Sequence, residues 1–202
     1  MIAALYVVED GPYSNLEGVD PWGQSRDARK YSGPWPVVVH SPCGRWGRYW
    51  SGGPSAKVKR QLGDDDGCFE AGLAAVRKYG GVLEHPEASH AFKKFGLPIP
   101  DWNGGWTEPD LYGGSSCCVS QGHYGHAARK ATWLYAVRTE LPELIWGPSK
   151  NGLRLDEGFH SKEERTRAIR TGVCQRLSKR QRLLTPLPFR DLLLQIAGSV
   201  AE

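Results

Sequence analysis

The chain has 202 residues, a length that suits one well-packed domain and is short for two. Charged residues make up 24% of the sequence and hydrophobic residues 40%, which is an ordinary globular composition. No apolar run approaches the roughly eighteen residues of a membrane span, so we expect no membrane contact. The start lacks the basic leader of a signal peptide and the five cysteines are an odd number, which favours a cytoplasmic protein with reduced thiols.

The first half of the chain predicts a strand–helix–strand unit. Residues 2–8 read as a first strand, followed by a glycine-rich polar connection over residues 10–33. Residues 37–40 predict a second strand, and a helix that opens on the aspartates 64–66 ends at Gly80-Gly81. The strand predicted over residues 82–86 completes a βαβ unit, which requires parallel strands and a right-handed crossover.

The second half predicts a long loop, two more strands and a helix. Residues 95–114 have no periodicity and read as the loop, whereas residues 116–120 and 132–137 are rich in β-formers. Six apolar residues near the end predict an amphipathic helix: Phe189, Leu192, Leu193, Ile196, Ala197 and Val200. We therefore expect a single-domain α/β fold with a mostly parallel sheet and helices on both faces. Its core spans residues 1–158, and the basic segment and helix of residues 159–202 pack on that core.

Cys43 follows the predicted strand of residues 37–40, which ends at Pro42 because proline has no N–H for a strand ladder. Ligands of open α/β sheets bind at the carboxyl edge of the strands, where this loop lies. Arg45 and Arg48 are close in sequence and would stabilise a thiolate. Cys43 is either a nucleophile or a small apolar residue packed under the loop, and the sequence leaves both open.

Glu84 lies near the end of the next predicted strand, so the βαβ geometry brings it to the same sheet edge as Cys43. A thiolate can add to C6 of a pyrimidine ring and turn C5 into a carbon nucleophile. A carboxyl group at N3 and the exocyclic amine of cytosine assists that addition by polarising the ring. The pair therefore predicts chemistry on cytosine. The alternative for Glu84 is an ion pair with a nearby arginine.

Three motifs in order resemble those of DNA cytosine-5 methyltransferases, most closely the short phage and prophage proteins of that superfamily. The first is Ser41-Pro42-Cys43, and the second is residues 83–86, Leu-Glu-His-Pro. The third runs from residues 121–126, Gln-Gly-His-Tyr-Gly-His, to residues 129–134, Arg-Lys-Ala-Thr-Trp-Leu. The resemblance covers about residues 37–148 and implies a Rossmann-like fold of the methyltransferase type.

The resemblance also implies roles for particular residues. Cys43 would be the nucleophile and Glu84 the acid that contacts cytosine, with Arg129 or Lys130 orienting the base or a phosphate. Substrate-binding residues on the same motifs would be His40, Ser41, Pro42, Arg45, Trp46, His85, Gln121, His123 and Tyr124. The implied activity is modification of cytosine at C5, in DNA or a pyrimidine nucleotide, inside a phage-infected bacterial cell.

A methyltransferase of this kind holds S-adenosylmethionine in the loop after its first strand, and an acid ending the second strand binds the ribose. Glycines in the loop allow the backbone to approach the cofactor. The resemblance therefore implies Glu9, Asp10 and Gly11 as loop residues and Asp20, or alternatively Asp27, as the acid. The rival interpretation is a nucleic-acid-binding phage accessory protein that has the same fold and no catalytic activity.

Two metal-based alternatives rest on histidines. Cys117, Cys118, His123 and His126 could together bind zinc, although no paired Cys-x-x-Cys spacing is present. Otherwise the cysteines would be a core and a rim residue of one strand, and the histidines polar loop residues. A metal-dependent hydrolase would instead use Glu84, Asp20, His40 and His123. Since neither set has a recognisable ligand spacing, we expect no metal.

Two basic stretches predict contact with nucleic acid. The first interleaves aromatic and cationic residues that suit stacking on bases: Arg45, Trp46, Arg48, Tyr49, Trp50, Lys57, Lys59 and Arg60. The second concentrates cations that suit a phosphate backbone: Lys162, Arg165, Arg167, Arg170, Arg176, Lys179, Arg180 and Arg182. The alternatives are a loop that packs its tryptophans on the sheet and a solvated basic face.

Overall fold

The computed structural model describes residues 1–52, 57–58, 60–153, 155, 161–172 and 177–200. Six strands lie in the described residues: β1 Ile2–Leu5, β2 Val19–Trp22, β3 Val37–Val39, β4 Gly81–Pro86, β5 Gly114–Ser120 and β6 Ala131–Val137. Five helices accompany them: α1 Cys68–Tyr79, α2 His90–Lys94, α3 Lys162–Thr171, α4 Lys179–Leu183 and α5 Leu187–Gly198. The fold is a mixed α/β domain.

The six strands form one sheet in the order β2-β1-β3-β4-β6-β5. Neighbours among β1 to β4 are parallel, whereas β6 is antiparallel to both β4 and β5. The prediction of a single α/β domain with a mostly parallel sheet is therefore confirmed. The strand order reverses between β1 and β3, because the chain places β2 on one side of β1 and then crosses to the other side. Ligands of such sheets bind at the carboxyl edge beside this reversal.

Helices cover both faces of the sheet, as the sequence predicts. On one face, α1 packs Phe69, Leu73 and Val76 into a core that includes Val39 and Leu83 of the central strands. The other face is covered by α5, whose core side chains are Phe189, Leu193, Ile196 and Ala197. Val39 and Leu83 face the α1 core whereas Val38 and Val82 face the α5 core, so β3 and the first half of β4 are apolar and buried on both sides.

The βαβ unit β3-α1-β4 is confirmed, with Val39 paired to Leu83 in a parallel register. The helix begins at Cys68, and Asp65 accepts a hydrogen bond of 2.8 Å from the backbone N–H of Phe69. An acid thus satisfies one free N–H at the start of the helix, which is what the run of aspartates predicts. The helix is followed by Gly80 and Gly81, both at positive φ.

Three features of the fold depart from the sequence-based expectation. The polar connection predicted over residues 10–33 contains the edge strand β2, which the sequence analysis missed. The short helix α2 was also not predicted. Cys118 is 3% exposed and therefore as buried as Cys117, so it is not a residue at the rim of its strand.

Several predictions fall on residues outside the described ranges. These are the cationic residues Lys59 and Arg176, the cysteine Cys174 and the boundary between residues 158 and 159. Within the described part of the chain, no helix has the length and apolar character needed to cross a membrane.

Candidate active site

The Cys43 loop is tied to the start of α1 through Trp46. The backbone N–H groups of Trp46 and Gly47 donate to the carbonyl of Cys43 over 3.0 and 2.9 Å, which closes a tight turn. Trp46 is 1% exposed, and its indole N–H donates to Asp65 over 2.8 Å. The Cys43 side chain itself is half-buried, with a free thiol. The loop is therefore held by its neighbours and its sulfur is not sealed in the core.

Glu84 lies on the α5 face of β4, because strand side chains alternate and Val82 points to that face. Its carboxylate accepts one hydrogen bond from the Nδ1 of His40 at 3.0 Å. The amide Nε2 of Gln121 donates to the other oxygen over 3.3 Å and to Thr132 over 2.9 Å. Donors from the ends of two further strands therefore hold the plane of the Glu84 carboxylate.

Lys130 immediately precedes β6 and has a φ of 40°, a conformation that is uncommon for a residue other than glycine. Its Nζ donates to the carbonyl of Leu184 over 2.9 Å. Thr132 of β6 pairs with Pro86 at the carboxyl end of β4, so Lys130 lies at the same sheet edge as Cys43 and Glu84. Its charge acts to lower the pKa of Glu84 and opposes the rise in the pKa of Cys43. A thiol, a carboxylate and an ammonium thus converge at the carboxyl edge of β3 and β4.

The environment moves the pKa of each of these three groups. Burial raises the pKa of the Cys43 thiol and the charge of Glu84 raises it further, against smaller opposing effects of its own backbone N–H and Lys130. Burial acts to raise the pKa of Glu84, but the hydrogen bond and charge of His40 and the charge of Lys130 hold it below its usual value. Burial lowers the pKa of Lys130, which Glu84 and Cys43 partly offset.

We expect Lys130→Met to slow the alkylation of Cys43 by iodoacetamide near neutral pH, because loss of the ammonium raises the thiol pKa. The thiolate fraction falls faster than its nucleophilicity rises, so the rate drops about three- to fourfold for each unit of pKa. Mass spectrometry of tryptic peptide 31–45, which contains Cys43 and no other cysteine, measures the rate.

Arg129→Met is the matched control for Lys130→Met. The Arg129 guanidinium lies 5.7 Å from the ring centroid of Trp102, and the side chain is exposed. An equal slowing in both variants would contradict the specific effect of Lys130 on the thiol.

Three residues of the implied substrate-binding set are engaged elsewhere in the protein. His85 is fully buried on the α1 face of β4, where Nδ1 bonds the Ser89 hydroxyl at 2.7 Å. Burial lowers the pKa of His85 to about 4. Ser41 is 5% exposed and bonds the backbone of Cys68, while Trp46 packs against Phe69. The structure therefore does not bring these side chains into the cluster around Glu84.

The other members of that set lie near the edge of the cluster or contact the backbone. Pro42 is exposed and Arg45 half-buried on the Cys43 loop. His123 bonds the carbonyl of Gly147 at 3.1 Å, and the Tyr124 hydroxyl accepts from the N–H of Ile145 at 3.2 Å. Of the implied substrate-binding residues, His40 and Gln121 are the two whose hydrogen bonds reach Glu84.

The residues implied for S-adenosylmethionine do not fit that cofactor. Asp20 is the second residue of β2, paired with Ala3, and so does not end the strand. Its carboxylate accepts from the Trp22 indole over 2.7 Å and pairs with Arg26. Burial acts to raise the pKa of Asp20, but hydrogen bonds from Arg26 and Trp22 hold it below its usual value. The carboxylate is thus paired with side chains of its own connection, from a position inside β2 and not at its carboxyl end.

The loop after β1 is folded into a local turn, in which the Gly11 N–H donates to the Val8 carbonyl over 3.0 Å. The Glu9 carboxylate accepts the backbone N–H of Ser25 over 2.9 Å, and Asp10 is exposed. Gly11 lies in a turn where an added Cβ would meet the carbonyl of Val8 at 2.8 Å. The glycine is therefore required by the local turn.

The metal-based alternatives find no support in the geometry. Cys117 and Cys118 pack into different cores on opposite faces of the sheet. His126 contacts the Gln181 carbonyl at 3.2 Å and the Ala128 N–H at 3.0 Å. Within the ranges that the structure describes, no three His, Cys, Asp or Glu side chains are grouped to hold a metal ion.

Tyr13 and Thr132 belong to the cluster, and the sequence analysis missed both. The Tyr13 hydroxyl lies 2.8 Å from Nε2 of His40, and Thr132 accepts from Gln121. The parallel topology was a usable signal for Tyr13, since the loop after β1 lies at the same sheet edge as the loop after β3. Nothing in the local sequence marks Thr132 as different from any other strand threonine.

Comparison with family models, curated proteins and solved structures gives no significant match.

Proposed function

We propose that this protein modifies cytosine in DNA at C5, with Cys43 as the nucleophile and Glu84 as the acid that contacts the base. The observation that carries the proposal is the convergence of the Cys43 thiol, the Glu84 carboxylate and the Lys130 ammonium at one sheet edge. The ordered motifs around residues 41–43, 83–86 and 121–134 support it, as does a mostly parallel sheet covered by helices on both faces. We further propose the methyltransferase type of fold and a phage protein acting in the host cytoplasm.

The addition of the thiol to cytosine needs no proton or electron from outside Cys43, Glu84 and the base. Cys43 loses its proton as the sulfur–C6 bond forms, and the electrons of the C5–C6 double bond move onto the ring. The Glu84 carboxylate takes up the thiol proton and passes it to N3, so the proton lost by the sulfur enters the base and Glu84 ends the step ionised again. C5 then carries nucleophilic character. Reversal breaks the sulfur–C6 bond and returns the proton.

The raised pKa of Cys43 fits this sequence of events. A thiol that stays protonated in the free protein is protected from oxidation and other electrophiles. Approach of the base allows its proton to leave, because the developing charge passes to the ring and is neutralised at N3. Lys130 supplies a positive charge near the sulfur while that transfer occurs.

Hydrogen exchange at C5 tests the proposal and requires no electrophile besides water. When C5 of the adduct takes a proton from water and loses its original hydrogen, elimination releases cytosine labelled from the solvent. We expect the protein to release tritium from DNA carrying [5-³H]cytosine. We expect Cys43→Ser to abolish release, with folding checked by circular dichroism.

Cys68→Ser is the matched control, because Cys68 is also a half-buried free cysteine and lies at the start of α1. Its release should equal that of the unmodified protein. Parallel reactions on single-stranded DNA, duplex DNA and deoxycytidine monophosphate identify the substrate. Release that persists in Cys43→Ser would overturn the proposed nucleophile.

A second candidate function is binding of nucleic acid without catalysis. It is favoured by α3, which has no buried residue and exposes Arg165, Arg167 and Arg170, and by the exposed Lys179 and Arg180 of α4. DNA binding that weakens steeply with salt and is accompanied by no tritium release would favour this candidate over the enzyme.

A further inference from the structure

We propose that Tyr13 and His40 are positioning residues that hold the Glu84 carboxylate ionised and oriented to accept the exocyclic amine of the base. The inference rests on the proposed function and deepens it. It explains why the site would select a base with an amine, such as cytosine, over one with a carbonyl at the same position. The resemblance implies His40 as a substrate-binding residue, but here it acts through Glu84, and neither Tyr13 nor His40 is placed in contact with the substrate.

The three side chains form one chain of hydrogen bonds assembled from three separate segments. Tyr13 comes from the connection after β1, His40 directly follows β3, and Glu84 lies on β4. The Tyr13 oxygen is 2.8 Å from Nε2 of His40, and Nδ1 of His40 is 3.0 Å from the Glu84 carboxylate. Both nitrogens of the imidazole are therefore occupied by protein groups.

Burial restricts the three side chains of this hydrogen-bond chain to a fixed arrangement. Tyr13 is 2% exposed, and the His40 and Glu84 side chains are 13% and 15% exposed. The Tyr13 ring also packs at a tilt on the imidazole, with centroids 5.4 Å apart. A side chain held at both ends and on one face has few alternative rotamers, so the imidazole presents Nδ1 to Glu84 in a fixed direction.

A phenol suits the end of this hydrogen-bond chain farthest from Glu84, because its hydroxyl can either donate or accept a hydrogen bond. Toward a neutral imidazole, the Tyr13 hydroxyl donates to Nε2 while Nδ1–H donates to Glu84. Toward an imidazolium, Nε2–H donates to the Tyr13 oxygen and the bond to Glu84 is unchanged. Burial raises the pKa of Tyr13, so the phenol keeps its proton in both states.

Few charged groups surround the hydrogen-bond chain of Tyr13, His40 and Glu84. Tyr13 and Glu84 contact His40 directly, and the charges of Arg190 and Asp191 of α5 act on Tyr13. Glu84 is additionally faced by Lys130, by Gln121 as a neutral donor, and by His85 across the strand. Because His40 contributes both a hydrogen bond and a charge, its removal should make Glu84 easier to protonate.

An amine-selective site follows from this arrangement. A carboxylate is an acceptor only, and donors from His40 and Gln121 leave some of its roughly four lone-pair positions open. An exocyclic amine donates to such a position, whereas a carbonyl oxygen would face it with like partial charge and leave the buried acceptor unpaired. Uracil and thymine would therefore be rejected.

The test is a titration of Glu84 itself, made without substrate. In protein labelled with [5-¹³C]glutamate, the Glu84 carboxyl signal is assigned by its absence in Glu84→Gln. We expect His40→Asn to move its titration midpoint to higher pH, because asparagine can donate a hydrogen bond but carries no charge. Tyr13→Phe, which keeps the ring, should move it in the same direction by less. His90→Asn makes the same change at an exposed position of α2 and should leave it unchanged.

The pH profile of tritium release provides the second measurement. We expect the acid limb of kcat/KM to shift to higher pH in His40→Asn, and Tyr13→Phe to lower the rate about two- to twelvefold, as for one lost hydrogen bond. A uniform loss at every pH with no change in the Glu84 titration would overturn the positioning role. If the titration shifts as expected but unmodified protein releases no tritium, the role at Glu84 stands and the proposed function fails.

Discussion

Glu84→Gln is expected to slow tritium release from C5-labelled cytosine by about 10²- to 10⁴-fold, the range typical of losing a positioned acid or base. The same substitution is expected to speed the alkylation of Cys43 near neutral pH. The two effects have opposite signs because the carboxyl group assists the base but opposes ionisation of the thiol. The charge of Glu84 is the second-largest cause of the raised Cys43 pKa, after burial.

Glu84→Gln removes the charge of this side chain while the surrounding hydrogen bonds can be kept. In the unmodified protein Nδ1 of His40 contacts one oxygen of the Glu84 carboxylate, and the carbonyl of a glutamine at this position can accept the same hydrogen bond. Its amide would face Nε2 of Gln121, but Gln121 can rotate and offer its own Oε1, a buried atom without a partner among the described residues. The site can therefore accommodate the change with its packing intact.

Glu87→Gln is the charge-matched control for Glu84→Gln. Glu87 lies beyond the end of β4, pairs with Arg48 at 3.4 Å and has no part in the Cys43 pKa shift. We expect neither tritium release nor alkylation to change in this variant. A fall in both rates in Glu84→Gln would point to a damaged fold and contradict the opposed roles argued for this carboxylate.

The central fold could be predicted because its signals are local and agree with one another. The β-branched run of β3, the apolar stripe of α1 and Gly80-Gly81 each specify their element without reference to the rest of the chain. A βαβ unit then leaves little freedom in direction or handedness. This is why the sheet edge shared by Cys43 and Glu84 followed from the sequence.

The features that were missed depend on neighbours far away in sequence. Strand β2 contains Asp20 and Pro21, and proline is tolerated there because β2 is at the edge of the sheet. The alternation in β5 and β6 indicates strands but not their directions, which the sheet sets. Tyr13 and Thr132 were missed because a hydrogen-bond partner is a property of the assembled edge and not of a motif.

The orientation of individual side chains was also beyond the reach of the sequence motifs, including residues that the resemblance marks as functional. His85 neighbours Glu84 in sequence, yet alternation along β4 turns it to the opposite face and into the α1 core. Trp46 is part of the aromatic and basic stretch, yet it packs inward while Tyr49, in the same stretch, is 67% exposed. Composition predicts the chemistry available to a loop but not which of its rings face solvent.

Trp46→Ala is expected to lower the free energy of unfolding by about 3–5 kcal/mol, the cost typical of truncating a buried aromatic side chain. Trp46 is 1% exposed and packs against Phe69 of α1 and Phe95, with ring centroids 5.8 Å apart in each case. Its carbonyl also accepts the N–H of His90, at the start of α2, over 2.9 Å. Urea denaturation followed by circular dichroism measures the loss.

The same substitution should release the Cys43 turn, because the indole is the group that connects this loop to Asp65. Trp46→Phe keeps an aromatic ring but removes the N–H, so we expect a smaller loss of about 1–3 kcal/mol from one lost hydrogen bond to a charged group, while the same Asp65 oxygen keeps the N–H of Phe69. Tyr49→Ala, in the same loop but exposed, should change the stability by no more than about 0.5 kcal/mol. If the loop is held as argued, Cys43 in Trp46→Ala alkylates faster under native conditions, since a thiol freed from burial ionises more readily. A stable variant with unchanged Cys43 alkylation would mean that the turn holds its sulfur without the tryptophan.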